Sequence, residues 1–150
     1  MGGGRNRGFT LLELLLVLVI AATGYAMVVR FTGSGASGAQ LKGAARTVAA
    51  GLRDARGQAI ATQSSAALAV DLDKRTIEVT GAGRPRALPE RLDITLDTAR
   101  SETVDTRRGA IRFFPDGSST GGRVTLAAGE RKLRVDVDWL TGRVSITEGG

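Results

Sequence analysis

The spacing of hydrophobic positions changes period along this chain. From Phe9 to Val29 the run carries one charge, Glu13, and is about long enough as a helix to cross a hydrocarbon layer of ~30 Å. Beyond Arg30, "FTGSGASGA" places Gly33, Gly35 and Gly38 close together. Each costs a helix about 1 kcal/mol relative to alanine, so the helix is expected to kink, fray or break there, as a hinge or a plain linker. Leu41, Ala45, Val48, Leu52, Ala55 and Ala59 then recur at steps of four and three. That is one apolar stripe of a second helical segment, from about Ala39 to Thr62, with Lys42, Arg46, Arg53, Asp54 and Arg56 off the stripe.

After Gln63 the period falls to two. Leu68, Val70 and Leu72, then Ile77 and Val79, then Leu92, Ile94 and Leu96 each read as a strand with one buried face. Ile111 and Phe113, Val124 and Leu126, Leu133 to Trp139, and Val144 and Ile146 continue the pattern. "DLDKR", "AAGERK" and "LTGR" read as tight turns, and "GAGRPRALPE" as a loop. Strands joined this closely leave no room for crossover helices. The expected class is α+β: a helical spine against a mainly antiparallel sheet, or two small sheets.

Composition narrows the chemistry. The 150 residues include no cysteine and no histidine, which removes disulfides, thiolate metal sites and the usual general base. No catalytic residue, metal site or cofactor is expected. The net charge of +6 is spread over scattered arginines, as on a solvated surface, and a nucleic-acid groove stays open as the rival reading. Arg5 and Arg7 precede the apolar run, and positive charge there holds that end in the cytoplasm. A carboxylate at membrane depth costs about 2.5–3.5 kcal/mol, so Glu13 needs a partner or a task.

Gly8 followed by "FTLLE" resembles the type IV prepilin signal: a basic leader, a glycine, an aromatic first residue, glutamate fifth, then a long apolar helix. The resemblance implies that prepilin peptidase cuts between Gly8 and Phe9 and methylates the new amine of Phe9. Glu13 stands four residues beyond that cationic amine and can pair with it, or with a neighbouring subunit's, to set register during filament assembly. The expected divisions are a leader 1–8, a transmembrane assembly helix 9–31, a hinge 32–38, a soluble helix 39–63 and a periplasmic β-rich domain 64–150.

"FFPDGSSTGG" is the sharpest motif of the soluble part. It fails as a phosphate cradle, since no lysine or helix follows, and as a nucleophile site, since no histidine exists to activate Ser118 or Ser119. Pro115, Asp116 and Gly117 instead make a turn. Phe113, Pro115, Asp116, Gly117, Gly121 and Gly122 match a signature of the GspH/FimT class of minor pilins, and "LRDARGQAIATQSSAALAV" resembles that class's helix end. The resemblance implies a type IV pilin-like fold and a non-enzymatic minor pseudopilin of the type II secretion system. Its implied partners are other major and minor pseudopilins and the inner-membrane assembly platform, with secreted cargo or the secretin as further contacts. A FimT-like minor pilin of a type IV or competence pilus, with DNA as output, is the alternative. Asp136 and Asp138 are expected on a solvated edge rather than at a metal, and at least two of Phe113, Phe114 and Trp139 are expected in the core.

Overall fold

The computed structural model describes residues 10–82, 84–99, 102–105 and 107–149, with the main chain alone for residues 26–37 and 104. One helix, α1, spans Leu11–Thr62. The expected break at the glycines is not seen, because the main chain is helical through Gly33, Gly35 and Gly38. Three glycines cost about 3 kcal/mol, whereas starting a second helix afresh carries a nucleation cost of about 4 kcal/mol. Continuing is therefore no worse than stopping. The helix ends at Gln63, whose φ of 52° is left-handed and whose side-chain amide donates to the Ile60 carbonyl at 2.8 Å.

The chain divides into two compact units, residues 1–36 and 37–150. In the first, the described side chains run from Thr10 to Tyr25. Among the described residues no helix is long and apolar enough to cross a membrane, and the apolar run that the sequence carries on to Val29 passes beyond those side chains.

In the second unit, the later part of α1 packs on two antiparallel sheets. The strands are β1 (Ala66–Asp71), β2 (Thr76–Val79), β3 (Arg86–Ala87), β4 (Asp93–Thr98), β5 (Thr103–Asp105), β6 (Arg108–Phe113), β7 (Gly122–Ala128), β8 (Arg131–Val137) and β9 (Val144–Gly149). Their order is β3-β2-β1-β6-β5 in one sheet and β4-β7-β8-β9 in the other. β3 and β5 had no signal in the sequence, since two or three residues at a sheet edge are too few for a period of two to register.

The helical stripe is the floor of the core. Leu41, Ala45, Val48, Leu52, Ala55 and Ala59 are all buried, together with Leu68, Val70, Ile77 and Ile111 of the first sheet and Val124, Leu126, Val135 and Val137 of the second. The long loop after β2 is fastened by Arg75, whose guanidinium donates to the carbonyls of Pro89 and Leu92. One expectation is corrected: of the three C-terminal aromatics only Phe113 is core. Phe114 is 37% exposed, and Trp139 is 65% exposed because β8 stops at Val137 and the tryptophan stands in the turn beyond it.

Leu52 has no exposed surface and lies in the core cluster that draws on both sheets. Leu52→Ala is expected to cost about 2–5 kcal/mol by denaturant unfolding, the range for a buried leucine whose cavity cannot fully collapse.

Candidate functional site

Gly8 and Phe9 lie outside the described residues. Glu13 stands in the first turn of α1, where its amide donates to the Thr10 hydroxyl oxygen at 3.2 Å. Thr10-Leu11-Leu12-Glu13 therefore has the spacing of a capping box, a signal present in the sequence and overlooked in favour of the charge. A carboxylate there also suits the positive end of the helix dipole.

The next two turns are uncovered. Seven consecutive apolar residues, Leu14 to Ile20, are each 52–63% exposed, so the apolar surface goes all the way round the helix. The Thr23 hydroxyl donates back to the carbonyls of Val19 and Ile20 at 2.9 Å, hiding its own polarity. A helix apolar on every face is stable only when lipid or other helices surround it.

The second cluster is built on the β6–β7 connection, where the chain leaves one sheet for the other. Phe113 ends β6 fully buried. The Phe114 amide donates to the Ser118 carbonyl at 3.0 Å, and the Gly117 amide to the Phe114 carbonyl at 2.9 Å, closing a turn around half-buried Pro115. Asp116 accepts from the amide of Ser118 at 2.9 Å and from its hydroxyl at 2.6 Å. Ser119 is buried, and its hydroxyl donates to the Arg112 carbonyl at 2.8 Å while accepting from the Gly121 amide at 3.0 Å. Its hydroxyl thus both donates to and accepts from main chain. A methyl group on Gly121 or Gly122 would meet Trp139 Cβ at 3.0 Å or the Asp97 carbonyl at 2.9 Å, so both positions need a small residue for close packing.

The β8–β9 turn docks on this motif. Asp138 accepts from the amides of Leu140 and Thr141 at 3.1 and 2.8 Å, and the Gly142 amide donates to the Asp138 carbonyl at 2.9 Å. One residue of α1 ties the two turns together: Arg56 donates through Nε to the Gly117 carbonyl and through Nη2 to the Thr141 carbonyl, both at 3.1 Å. Sequence reasoning placed Arg56 off the apolar stripe and gave it no role. The available signal was the class-like run "LRDARGQAIA" in which it stands.

The electrostatics fit a structural turn. The Ser118 hydroxyl, then its amide, hold the Asp116 carboxyl below the ordinary aspartate value of 3.8. The amide of Thr141, then its hydroxyl, do the same for Asp138. Asp136 is separate from Asp138: it pairs with Arg123 and accepts from the Thr147 hydroxyl at 3.2 Å. Among the described residues no group of three or more acidic, histidine or cysteine side chains could hold a metal.

The family model of type II transport protein GspH matches residues 44–142, and that of the prokaryotic N-terminal methylation motif matches residues 3–29. The chain belongs to the GspH family. The GspH match takes in Arg56 and the two turns it ties together, from Pro115 to Gly142. This GspH-family chain is 42% identical over 139 residues to type II secretion system protein H of Xanthomonas campestris pv. campestris, covering 92% of this chain and 81% of that protein. Its fold resembles the minor pseudopilin EpsH from the type 2 secretion system of Vibrio cholerae, with a TM-score of 0.56 at 15% identity over 74% of this chain and 98% of that one. It also resembles the type IV minor pilin FimU of Pseudomonas aeruginosa, with a TM-score of 0.53 at 15% identity over 71% and 92% of the two chains. The fold of this GspH-family chain is therefore the α+β, type IV pilin-like one.

Gly142 and Gly129 have nearly the same φ, 61° and 62°, yet a methyl group at 142 would lie 2.1 Å from the Gly117 carbonyl, while one at 129 meets nothing within 4 Å. Gly129→Ala is expected to cost about 1–2 kcal/mol of backbone strain, and Gly142→Ala clearly more, as compared by thermal unfolding. For the aspartates, a folded-state pKa below 3.8 means stability that is present above that value and lost as pH falls through the lowered one. The thermal midpoint of the native chain should fall more steeply from about pH 5 to pH 2 than that of Asp116→Asn/Asp138→Asn.

Proposed function

We propose that this GspH-family chain is a minor pseudopilin that joins the pseudopilus of a type II secretion system through its N-terminal helix and so supports protein export across the outer membrane. The observation that carries the reading is the exposed stretch Leu14 to Ile20, just beyond Glu13, which is apolar on every face of α1. Before assembly the covering is lipid, with the chain anchored in the inner membrane, N-terminus cytoplasmic and C-terminal domain periplasmic. After assembly it is the apolar helices of neighbouring pseudopilins. The subunit is structural and not an enzyme.

In this reading residues 1–8 are a leader that prepilin peptidase removes, and the amine of Phe9, then methylated, becomes the first group of the mature chain. The Glu13 carboxylate pairs with such an amine across subunits. A misplaced subunit leaves both charges unpaired in an apolar bundle, and that penalty is what sets register. The assembly platform of the inner membrane and the other pseudopilins are the partners this requires.

Nucleic acid is the rival. Arg107, Arg108, Arg112 and Arg123 are ion-paired with Asp73, Asp71, Glu102 and Asp136, which takes these four arginines away from phosphate.

The test complements a deletion strain with wild type, Glu13→Ala and Glu13→Gln, reading secreted protein in the supernatant, twitching and DNA uptake. Glutamine keeps a capping-box residue and removes the charge. Both variants are expected to lower secretion at least about ten-fold. Full secretion by Glu13→Gln would leave Glu13 a capping residue and remove the register role. Loss of twitching or DNA uptake with secretion intact would assign the chain to a pilus instead.

A further inference from the structure

The two sheets have four edges. Those of the first, β3 and β5, are two and three residues long. Of the second sheet's edges, β4 abuts the first sheet, with the Thr98 hydroxyl on the Ala110 carbonyl of β6 at 2.6 Å. β9 is left: six residues, paired with β8 alone, and Ile146, Thr147 and Glu148 are exposed along it.

Hydrogen-bond parity shows which groups are open. The Asp138 amide donates to the Arg143 carbonyl at 3.0 Å. Given the Val137–Val144 register, the hydrogen-bonded pairs with β8 are then Asp136–Ser145 and Arg134–Thr147, so Val144, Ile146 and Glu148 turn their N–H and C=O groups outward. Arg53 Nη2 reaches the Val144 carbonyl at 3.4 Å, in agreement. Natural sheet edges are usually blunted by lysine, proline or a bulge. β9 reads "VSITEG" in unbroken register and has none of these.

Beside this edge runs a basic wall. Lys42 and Arg46 of α1 line a groove with Ile146 and Glu148, and Arg53 lines a second, separate one with Val144. Among the described residues none of these three cations has a carboxylate within 4 Å, although Glu148 lies in the first groove. A second copy pairing edge to edge would set these cations against their own counterparts. Phosphates would satisfy the charge and leave the strand's alternating donors and acceptors unused.

We propose that β9 is a strand-accepting edge, and that its occupant is an extended, acid-bearing segment of another protein. The segment pairs backbone to backbone with Ile146, Glu148 and the Val144 amide and sets its carboxylates against Lys42 and Arg46. Main-chain hydrogen bonds would supply the affinity and the cationic wall the choice of partner. This edge belongs to the second unit and does not depend on the register role of Glu13.

The experiment is hydrogen–deuterium exchange on the full chain in detergent micelles. The probes are a peptide of about seven residues alternating valine with aspartate or glutamate, its lysine counterpart, and a short DNA duplex. The acidic peptide is expected to slow the amides of Val144, Ile146 and Glu148 by about five-fold or more, and the other two probes to leave them unchanged. Ile146→Pro removes one outward N–H without touching the β8 ladder, and should abolish the slowing while keeping the thermal midpoint. Lys42→Glu/Arg46→Glu, at exposed helix positions, should weaken it independently of the proline. No slowing by the acidic peptide, equal slowing by DNA, or slowing that grows with the chain's own concentration would each overturn the proposal.

Discussion

The C-terminal unit depends on the burial of one stripe of α1 beneath two sheets that share no strand. An isolated helix gains little beyond its own hydrogen bonds and is stabilised mainly by packing an amphipathic face. Here that face is narrow and small: five of its residues, Ala44, Ala45, Ala49, Ala55 and Ala59, are alanines, and Leu41, Val48 and Leu52 provide the larger side chains. Alanine loses no side-chain entropy on burial and lets the strands come close. The sheets then supply the bulk from their own side, through Leu68, Ile77, Ile111, Leu126 and Phe113.

Two sheets on one helix create a problem where the chain passes between them. The β6–β7 connection and the β8–β9 turn both have carbonyls that no strand ladder can satisfy, and both lie against the helix. A guanidinium is suited to this, because its donors diverge from a planar fork and can serve two acceptors at once. Arg56 does so with Gly117 and Thr141, and the nearness of Gly117 to Gly142 follows from sharing that one cation. The signature motif is therefore a joint in the architecture, with its polar side chains spent on main-chain groups.

Features that repeat were legible in the sequence. The step of four and three over Leu41 to Ala59 and the alternation in β1, β6, β7 and β8 each gave several residues voting for one assignment. Features that depend on a single residue's surroundings were not. Trp139 sits two residues past Val137 on the strand pattern, yet the chain leaves the sheet after Val137, and its ring meets solvent. Arg56 looked like one more solvated arginine, since nothing local shows that two distant turns return to it. The glycines from Gly33 to Gly38 do not interrupt the helical main chain, because propensity counts residues one by one while helix formation is cooperative.

Two surfaces in this chain are incomplete by themselves, and they need different complements. The apolar turns after Glu13 accept any hydrocarbon, since burial of that kind has no direction; specificity there must come from the one charge at their start. The β9 edge is the reverse case. Its donors and acceptors are fixed in spacing and orientation, so a partner must match it group by group, and the cations along α1 exclude partners of the wrong sign. A subunit with one permissive and one discriminating surface can be carried into an assembly by the first while the second decides which neighbour it stands beside.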